Sequence, residues 1–165
     1  MKKLILCLVL LLGINFQLYA ESNAYVSTRF LTAKSANKVA VVAEQSCKKQ
    51  GYQVSVAVTD RYGNLLAFSR DPLSGAHTIS LAEDKAYTAA TFQGDTMTLG
   101  KRLEALRGTP RVSLVAGGVP INVGGYLYGA VGVSGATGKK VPGDTDHDCA
   151  VIGIEAIQDA LEFGE

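Results

Sequence analysis

The two histidines have the widest chemical repertoire in the chain, and they lie far apart in the sequence. His77 follows a loop rich in proline and glycine and precedes a predicted helix. A ring nitrogen in this position can project towards a pocket and ligate an iron atom axially. The alternative is an exposed loop histidine without a ligand. His77 is therefore the candidate metal ligand of the sequence.

The second histidine, His147, belongs to an acidic cluster with Asp144, Asp146 and Asp148. Such a cluster can hold a hard cation, but carboxylates in the first turn of a helix also offset the helix dipole, and we favour that explanation. A helical projection places His147 about 200° from Cys149, facing solvent or a partner subunit. The chain has two histidines and neither a Cys-x-x-Cys nor a His-x-x-x-His pair, so a self-contained zinc site is not predicted.

Glycine is concentrated in the C-terminal half, around short runs of β-branched residues. These runs are 117–121 (GGVPI) and 129–136 (GAVGVSGA). Strands of this composition allow close approach, either by another backbone or by a flat ligand. The sequence leaves both alternatives open.

Two motif-like stretches in this region are incomplete. Residues 132–140 do not form a phosphate loop, because Val133 stands where the first glycine is needed and Lys140 where a hydroxyl residue is needed. Ser134 is not a nucleophile elbow, because Ala136 replaces its second glycine. Neither nucleotide hydrolysis nor esterase chemistry is indicated.

The first twenty residues have the layout of a secretory signal. Lys2 and Lys3 precede an apolar stretch, and Ala20 is a suitable cleavage site. We expect residues 1–20 to be removed and residues 21–165 to form one domain in the periplasm or outside the cell. The apolar stretch is shorter than the roughly 20 residues of a spanning helix, so no stable membrane anchor is expected. A formal net charge of +1 does not indicate a nucleic acid partner.

Removal of the leader leaves two cysteines, Cys47 and Cys149. An oxidising compartment allows them to form a disulfide. Two buried free thiols are an equal alternative, because pairing cannot be deduced from sequence.

The hydrophobic pattern predicts an α/β (α+β) domain with four helices and five strands. Helices are expected at 31–50, from Ser80 to about 93, at 98–106 and from Asp144 or Thr145 onward. Ser80 and Glu83 are spaced as a capping box. The last helix has an apolar face of Cys149, Ile152, Ala156 and Ala160. Strands are expected at 53–59, 65–70, 112–116, 120–123 and 126–134. Hairpins dominate, so a mainly antiparallel five-stranded sheet flanked by helices is predicted.

An ordered set of short motifs resembles one known family. The matching segments are 56–60 (VAVTD), 63–65 (GNL), Arg70, 75–76 (GA), 80–89 (SLAEDKAYTA), 117–121 (GGVPI), 129–136 (GAVGVSGA) and Asp148 with Ala150 and Gly153. Together they resemble the GlcG/HbpS-like heme-binding proteins, which are related to the C-terminal domain of PduO-type corrinoid adenosyltransferases. The loop 70–76 departs from the family pattern, because it is longer and contains proline.

The resemblance implies a profilin-like sandwich that forms homo-oligomers and binds heme, or another tetrapyrrole or corrinoid. On this basis His77 is expected to reach the iron, with the glycine strands forming the wall of the slot. Arg70 or Lys85 is expected to meet a propionate, and Thr137 to contribute a hydroxyl. A solvated position is the alternative for Lys85. Stacking on the macrocycle is weighed against core packing for two tyrosines, Tyr87 and Tyr128.

These features predict an exported, oligomeric protein that binds heme or a related tetrapyrrole for capture, buffering or redox sensing. Covalent attachment in its usual form is not predicted, because the chain has no Cys-x-x-Cys-His. A small-molecule or heme-modifying enzyme is one alternative, although no nucleophile and base pair is recognisable. An oligomeric structural or signalling module without a cofactor is another.

Overall fold

The computed structural model describes residues 24–164. The predicted leader, residues 1–20, lies outside the described residues. Within 24–164, no helix is both long and apolar enough to cross a membrane. The described chain forms three layers, with a single sheet between two layers of helices.

The first helix, α1, spans Ala33–Lys49 and confirms the sequence prediction. The side chain of Thr32 caps it by accepting a hydrogen bond from the Ser35 amide. Lysines in the last turn complement the helix dipole. The buried face is the predicted one and consists of Ala36, Val39, Ala40, Ala43 and Cys47.

The sheet has four antiparallel strands in the order β2-β1-β4-β3. These are β1 (Ser55–Asp60), β2 (Leu65–Arg70), β3 (Gly118–Val123) and β4 (Tyr126–Ser134). The prediction of a fifth strand at 112–116 is wrong. The hydroxyl of Thr88 accepts a hydrogen bond from the Ser113 amide at 2.9 Å, so a helix side chain engages this backbone instead of a strand.

The second helix, α2, spans His77–Thr91 and covers one face of the sheet. It begins three residues before the predicted start, with Ala76 in the N-cap position. The predicted capping box does not form, because the Ser80 hydroxyl lies inside the helix and donates to the His77 carbonyl. The buried hydroxyl of Thr78 fixes the true start, bonding Ser55 and Ser74 at 2.7 Å each.

The glycines of β3 and β4 bring α2 close to the sheet. A Cβ added at Gly132 would lie 2.1 Å from the Ala82 carbonyl oxygen, and one at Gly118 would lie 2.4 Å from that of Lys85. No side chain fits at these two positions of the strands. The backbone alternative is therefore correct for Gly118 and Gly132, which pack against α2, whereas Gly135 at the end of the same glycine-rich stretch lines a groove.

The third helix, α3 (Thr96–Arg102), is capped by Asp95, which accepts from the Met97 amide. A short 3-10 helix at Glu104–Leu106 follows. The final helix, α4 (Asp144–Phe163), begins where predicted, although its N-cap is Gly143 and no side chain caps it.

The predicted inner face of α4 is partly wrong. Cys149 is buried as expected, but Ile152 is 41% exposed and Ala160 is also exposed. The buried face runs instead through Gly153 and Ile157. Gly153 permits close packing on α1, because a Cβ there would lie 2.9 Å from the Val39 carbonyl oxygen.

The sequence leaves the pairing of the two cysteines undecided, and in the structure they form a disulfide. Cys47 in α1 is bonded to Cys149 in α4, with their Cα atoms 5.6 Å apart. Both residues are fully buried. The bond joins the two helices on the sheet face opposite α2.

Candidate functional site

A groove of about 280 Å³ lies where α2 meets the end of β4 and the start of α4. One wall is a single face of α2, formed by His77, Leu81 and Lys85 at four-residue intervals. The other residues belong to the strand end, the loops and the first turn of α4: Val115, Ser134, Gly135, Ala136, Gly138, Pro142, Gly143 and Asp146. The groove thus combines an imidazole, an ion pair and apolar walls.

The imidazole of His77 is exposed at the first position of α2. Its placement depends on Gly75, where an added Cβ would lie 2.7 Å from the His77 Cε1 atom. The adjacent Thr78 is buried and donates to the Gly75 carbonyl at 2.6 Å. A hydrogen-bonded helix start therefore places His77 in the lining of the groove.

Lys85 and Asp146 form a buried ion pair at the groove. Both residues are almost fully buried, at 2% and 3% exposure. Lys85 Nζ lies 2.9 Å from Asp146 Oδ2 and donates to the Val133 carbonyl at 2.8 Å. Burial lowers the pKa of the Lys85 ammonium and raises the pKa of the Asp146 carboxyl, while each charge opposes the shift of its partner. The solvated alternative for Lys85 is wrong.

The structure places the remaining predicted site residues at different distances from the groove. Thr137 is exposed and lies between Ala136 and Gly138, which both line it. Arg70 is exposed at the end of β2, is not part of the lining, and donates to the Ser74 carbonyl. His77 and Lys85 thus share the groove, Thr137 flanks it, and Arg70 lies outside it.

Neither tyrosine considered for stacking lines the groove. Tyr128 is 4% exposed and accepts a hydrogen bond from Arg29, as core packing predicts. Tyr87 lies beneath the Arg111 guanidinium, whose central carbon is 4.1 Å from the centre of the ring.

The acidic cluster divides into separate structural roles. Asp144 accepts hydrogen bonds from the amides of Lys139 and Lys140, at 2.7 Å each, and these bonds lower its pKa to about 2. Asp146 lies in the first turn of α4, as the helix-dipole explanation requires, and it is also paired with Lys85. Within residues 24–164, no group of three or more His, Cys, Asp or Glu side chains is arranged to hold a metal ion.

The prediction places His147 towards solvent or a partner subunit, and the structure contradicts the solvent-facing alternative. Its side chain is 19% exposed, and Nδ1 lies 3.1 Å from Asp95 Oδ2 at the start of α3. Asp95 raises the pKa of the His147 imidazole, partly opposed by burial. The second histidine therefore links α4 to α3 outside the groove.

A second, larger groove of about 420 Å³ adjoins the first and shares Val115 and Pro142 with it. Its lining is mainly apolar and includes Met97, Leu114, Ala116 and Val141. Arg107 also lines it and is paired with Glu104 at 2.7 Å. The two grooves form a continuous, partly exposed apolar surface.

Several groove residues were missed by sequence reasoning. Leu81 was recoverable, because it lies midway between His77 and Lys85 on one helical face. Val115 and Pro142 come from loops whose path depends on tertiary contacts, and nothing in their local sequence marks them.

The fold and groove define an α/β sandwich with a candidate small-molecule site. The sequence matches the family described as "haem degrading protein HbpS-like" over residues 31–155. The chain therefore belongs to the HbpS-like family.

Individual relatives agree with this assignment. Protein GlcG of Escherichia coli K12 is 33% identical over 108 residues, covering 63% of this chain and 81% of that protein. A double mutant of Streptomyces reticuli HbpS is 33% identical with a TM-score of 0.74, covering 84% and 94% of the two chains. The structure of PduOC in complex with heme is 25% identical with a TM-score of 0.68, covering 78% and 95%.

Proposed function

We propose that this protein binds heme, or a closely related tetrapyrrole, non-covalently in the groove. The observation that carries the proposal is the exposed imidazole of His77 at the end of an apolar groove. Membership of the HbpS-like family and the similarity to a heme complex of PduOC support it. A corrinoid, which has a macrocycle of similar general shape, is the alternative ligand.

The residues fit the chemical requirements of heme. Leu81, Val115 and Pro142 supply apolar contacts for a macrocycle. His77 supplies an axial nitrogen, and the bound iron would add redox chemistry and a strong absorption band. Lys140 is exposed, lies two residues after the lining residue Gly138 and suits a propionate. Lys85 is a poorer propionate partner, because its ammonium is already held by Asp146 and Val133.

The size of the groove requires a further surface to enclose a tetrapyrrole. Small-molecule sites usually enclose about 300–1,000 Å³, and a tetrapyrrole is a large ligand. The groove of about 280 Å³ therefore covers only part of it. The adjoining apolar groove, or a second copy of the chain, covers the rest. Light scattering of the purified protein with and without hemin tests this part of the proposal.

An exported location is also part of the proposal. The leader-like residues 1–20 support it, as does the disulfide between Cys47 and Cys149, because such bonds persist in oxidising compartments. Fractionation of cells with N-terminal sequencing tests it. Recovery of the uncleaved chain in the cytoplasm would contradict it.

The role consistent with a solvent-open groove is capture, buffering or sensing of the ligand. Heme degradation is a second candidate, because the family description names it. The two candidate functions predict different results when a reductant and oxygen are supplied to the protein–heme complex. A binding protein retains the heme spectrum, whereas a degrading enzyme loses it and forms an open-chain product.

The direct test is titration of hemin into protein lacking residues 1–20. We expect a shifted Soret band that saturates, and a weaker complex for His77→Ala. His147→Ala is the matched control, because it removes the other histidine, which pairs with Asp95 outside the groove. An unchanged hemin spectrum with the wild type would refute heme binding. Equal affinity of both variants would refute only the ligand assignment.

A further inference from the structure

The carboxylate of Asp146 joins three parts of the fold at the groove. Oδ2 pairs with Lys85 of α2 at 2.9 Å, and Oδ1 accepts the backbone N–H of Ala136 at 2.9 Å. Asp146 itself belongs to the first turn of α4. One side chain therefore connects both helices to the loop that follows β4.

That loop forms the wall opposite α2. Ser134, Gly135 and Ala136 all line the groove, and Thr137 follows directly. Gly135 has a φ of 134° and lies against the Gln53 carbonyl, so the chain turns sharply there. Ala136 is the first residue after this turn whose amide is held by a side chain, and that side chain is Asp146.

Stability alone does not account for the pair. Buried ion pairs are often no more stabilising than apolar side chains of similar volume. Lys85 holds Asp146 in place and also bonds the last strand through Val133. The two charged side chains therefore hold the end of β4 and the loop that follows it.

We propose that Asp146 is a positioning residue, which fixes the Ser134–Ala136 wall at the distance from α2 that the ligand requires, with Lys85 orienting its carboxylate. This inference rests on the proposed function. It reassigns Lys85 from a propionate partner to a residue that acts through Asp146. Ligand affinity then depends on an acceptor at position 146 and not on the charge of the pair.

Two matched double variants separate these contributions. Lys85→Met/Asp146→Asn removes both charges but keeps an oxygen that accepts the Ala136 N–H. Lys85→Met/Asp146→Leu removes the charges and the acceptor at similar side-chain size. Lys85→Met/Asp146→Ala replaces the leucine variant if that variant does not fold. Urea titration establishes the folded fraction before hemin binding is measured.

We expect the asparagine variant to bind hemin within about threefold of the wild type, and the leucine variant to bind about tenfold more weakly, as loss of a hydrogen bond implies. The Ala136 amide should also exchange with solvent faster in the leucine variant. Equal hemin affinity of the two folded variants would overturn the proposal. Loss of binding in the folded asparagine variant would also overturn it, because ligand affinity would then depend on the charges of the pair.

The exchange measurement distinguishes this inference from the proposed function. If the wild type does not bind hemin, heme binding fails as the function. The Ala136 amide then still reports the positioning role without ligand. Equal exchange in the asparagine and leucine variants would overturn that role.

Discussion

Replacement of Gly132 by alanine tests the contact that organises the sheet and α2. The added Cβ would lie 2.1 Å from the Ala82 carbonyl oxygen, 2.5 Å from the Ala86 amide nitrogen and 3.1 Å from the Ala86 Cβ. Ordinary contact begins near 3.4 Å, and two of these neighbours are backbone atoms that cannot rotate away. The helix or the strand must therefore shift.

The expected cost lies at the upper end of measured overpacking effects. Extra methyl groups in well-packed cores destabilise by about 1–3 kcal/mol, and occasionally more. We expect Gly132→Ala to lower the free energy of unfolding by about 3 kcal/mol, because a whole helix must move. Urea denaturation followed by circular dichroism measures this change.

Gly100→Ala is the matched control. This glycine lies inside α3, and its added Cβ would meet the Leu114 carbonyl at an ordinary 3.5 Å. Alanine there should be neutral or stabilising by up to about 1 kcal/mol, because glycine is a poor helix former. A stable Gly132→Ala variant that no longer binds hemin would refute the packing explanation. It would support the alternative, in which Gly132 forms part of the wall of the ligand site.

Three further predictions concern covalent and electrostatic links. Replacing Cys47 and Cys149 by alanine should lower the free energy of unfolding by about 2–5 kcal/mol in urea titration, because the bond closes a loop across 102 positions; an unchanged midpoint would contradict this. The pKa of Asp144 is depressed to about 2, so its contribution to stability is complete above the unfolded value of 3.8 and is lost as the pH falls towards 2. The stability gap between wild type and Asp144→Asn should therefore close over that range, and a constant gap would count against the bonds to the loop. The pKa of His147 is raised by Asp95, so the pair stabilises below the unfolded value of 6.5, and this contribution is lost as the pH rises through the folded value. Asp95→Asn keeps the helix cap and should lower the His147 pKa in an NMR titration; an unshifted titration would exclude the pairing.

The sequence predicted elements whose formation depends mainly on local pattern. The α1 face, with Ala36 and Val39, followed from helical spacing, and the β1-β2 hairpin followed from alternation and its turn. The unusual glycine content also indicated a close approach. The glycine content could not show whether a backbone or a ligand approaches the strands, because both require the absence of a side chain.

The remaining differences arise from tertiary contacts. Ser80 and Glu83 have capping-box spacing, but the hydroxyl cluster around Thr78 starts α2 earlier. The close packing at Gly153 and the disulfide determine which face of α4 is buried. The pairing of Lys85 with Asp146 joins positions 61 residues apart, and no local pattern indicates it.

The most direct test of the account is to locate the tetrapyrrole on the protein. Isotope-labelled protein is titrated with a diamagnetic gallium protoporphyrin while the backbone amides are followed by NMR. We predict that the largest shifts fall on residues of the groove, at Leu81, Val115 and Ala136, and that His77→Ala reduces them. Saturable shifts confined to another surface, or no shifts at all, would contradict the assignment of the groove as the binding site.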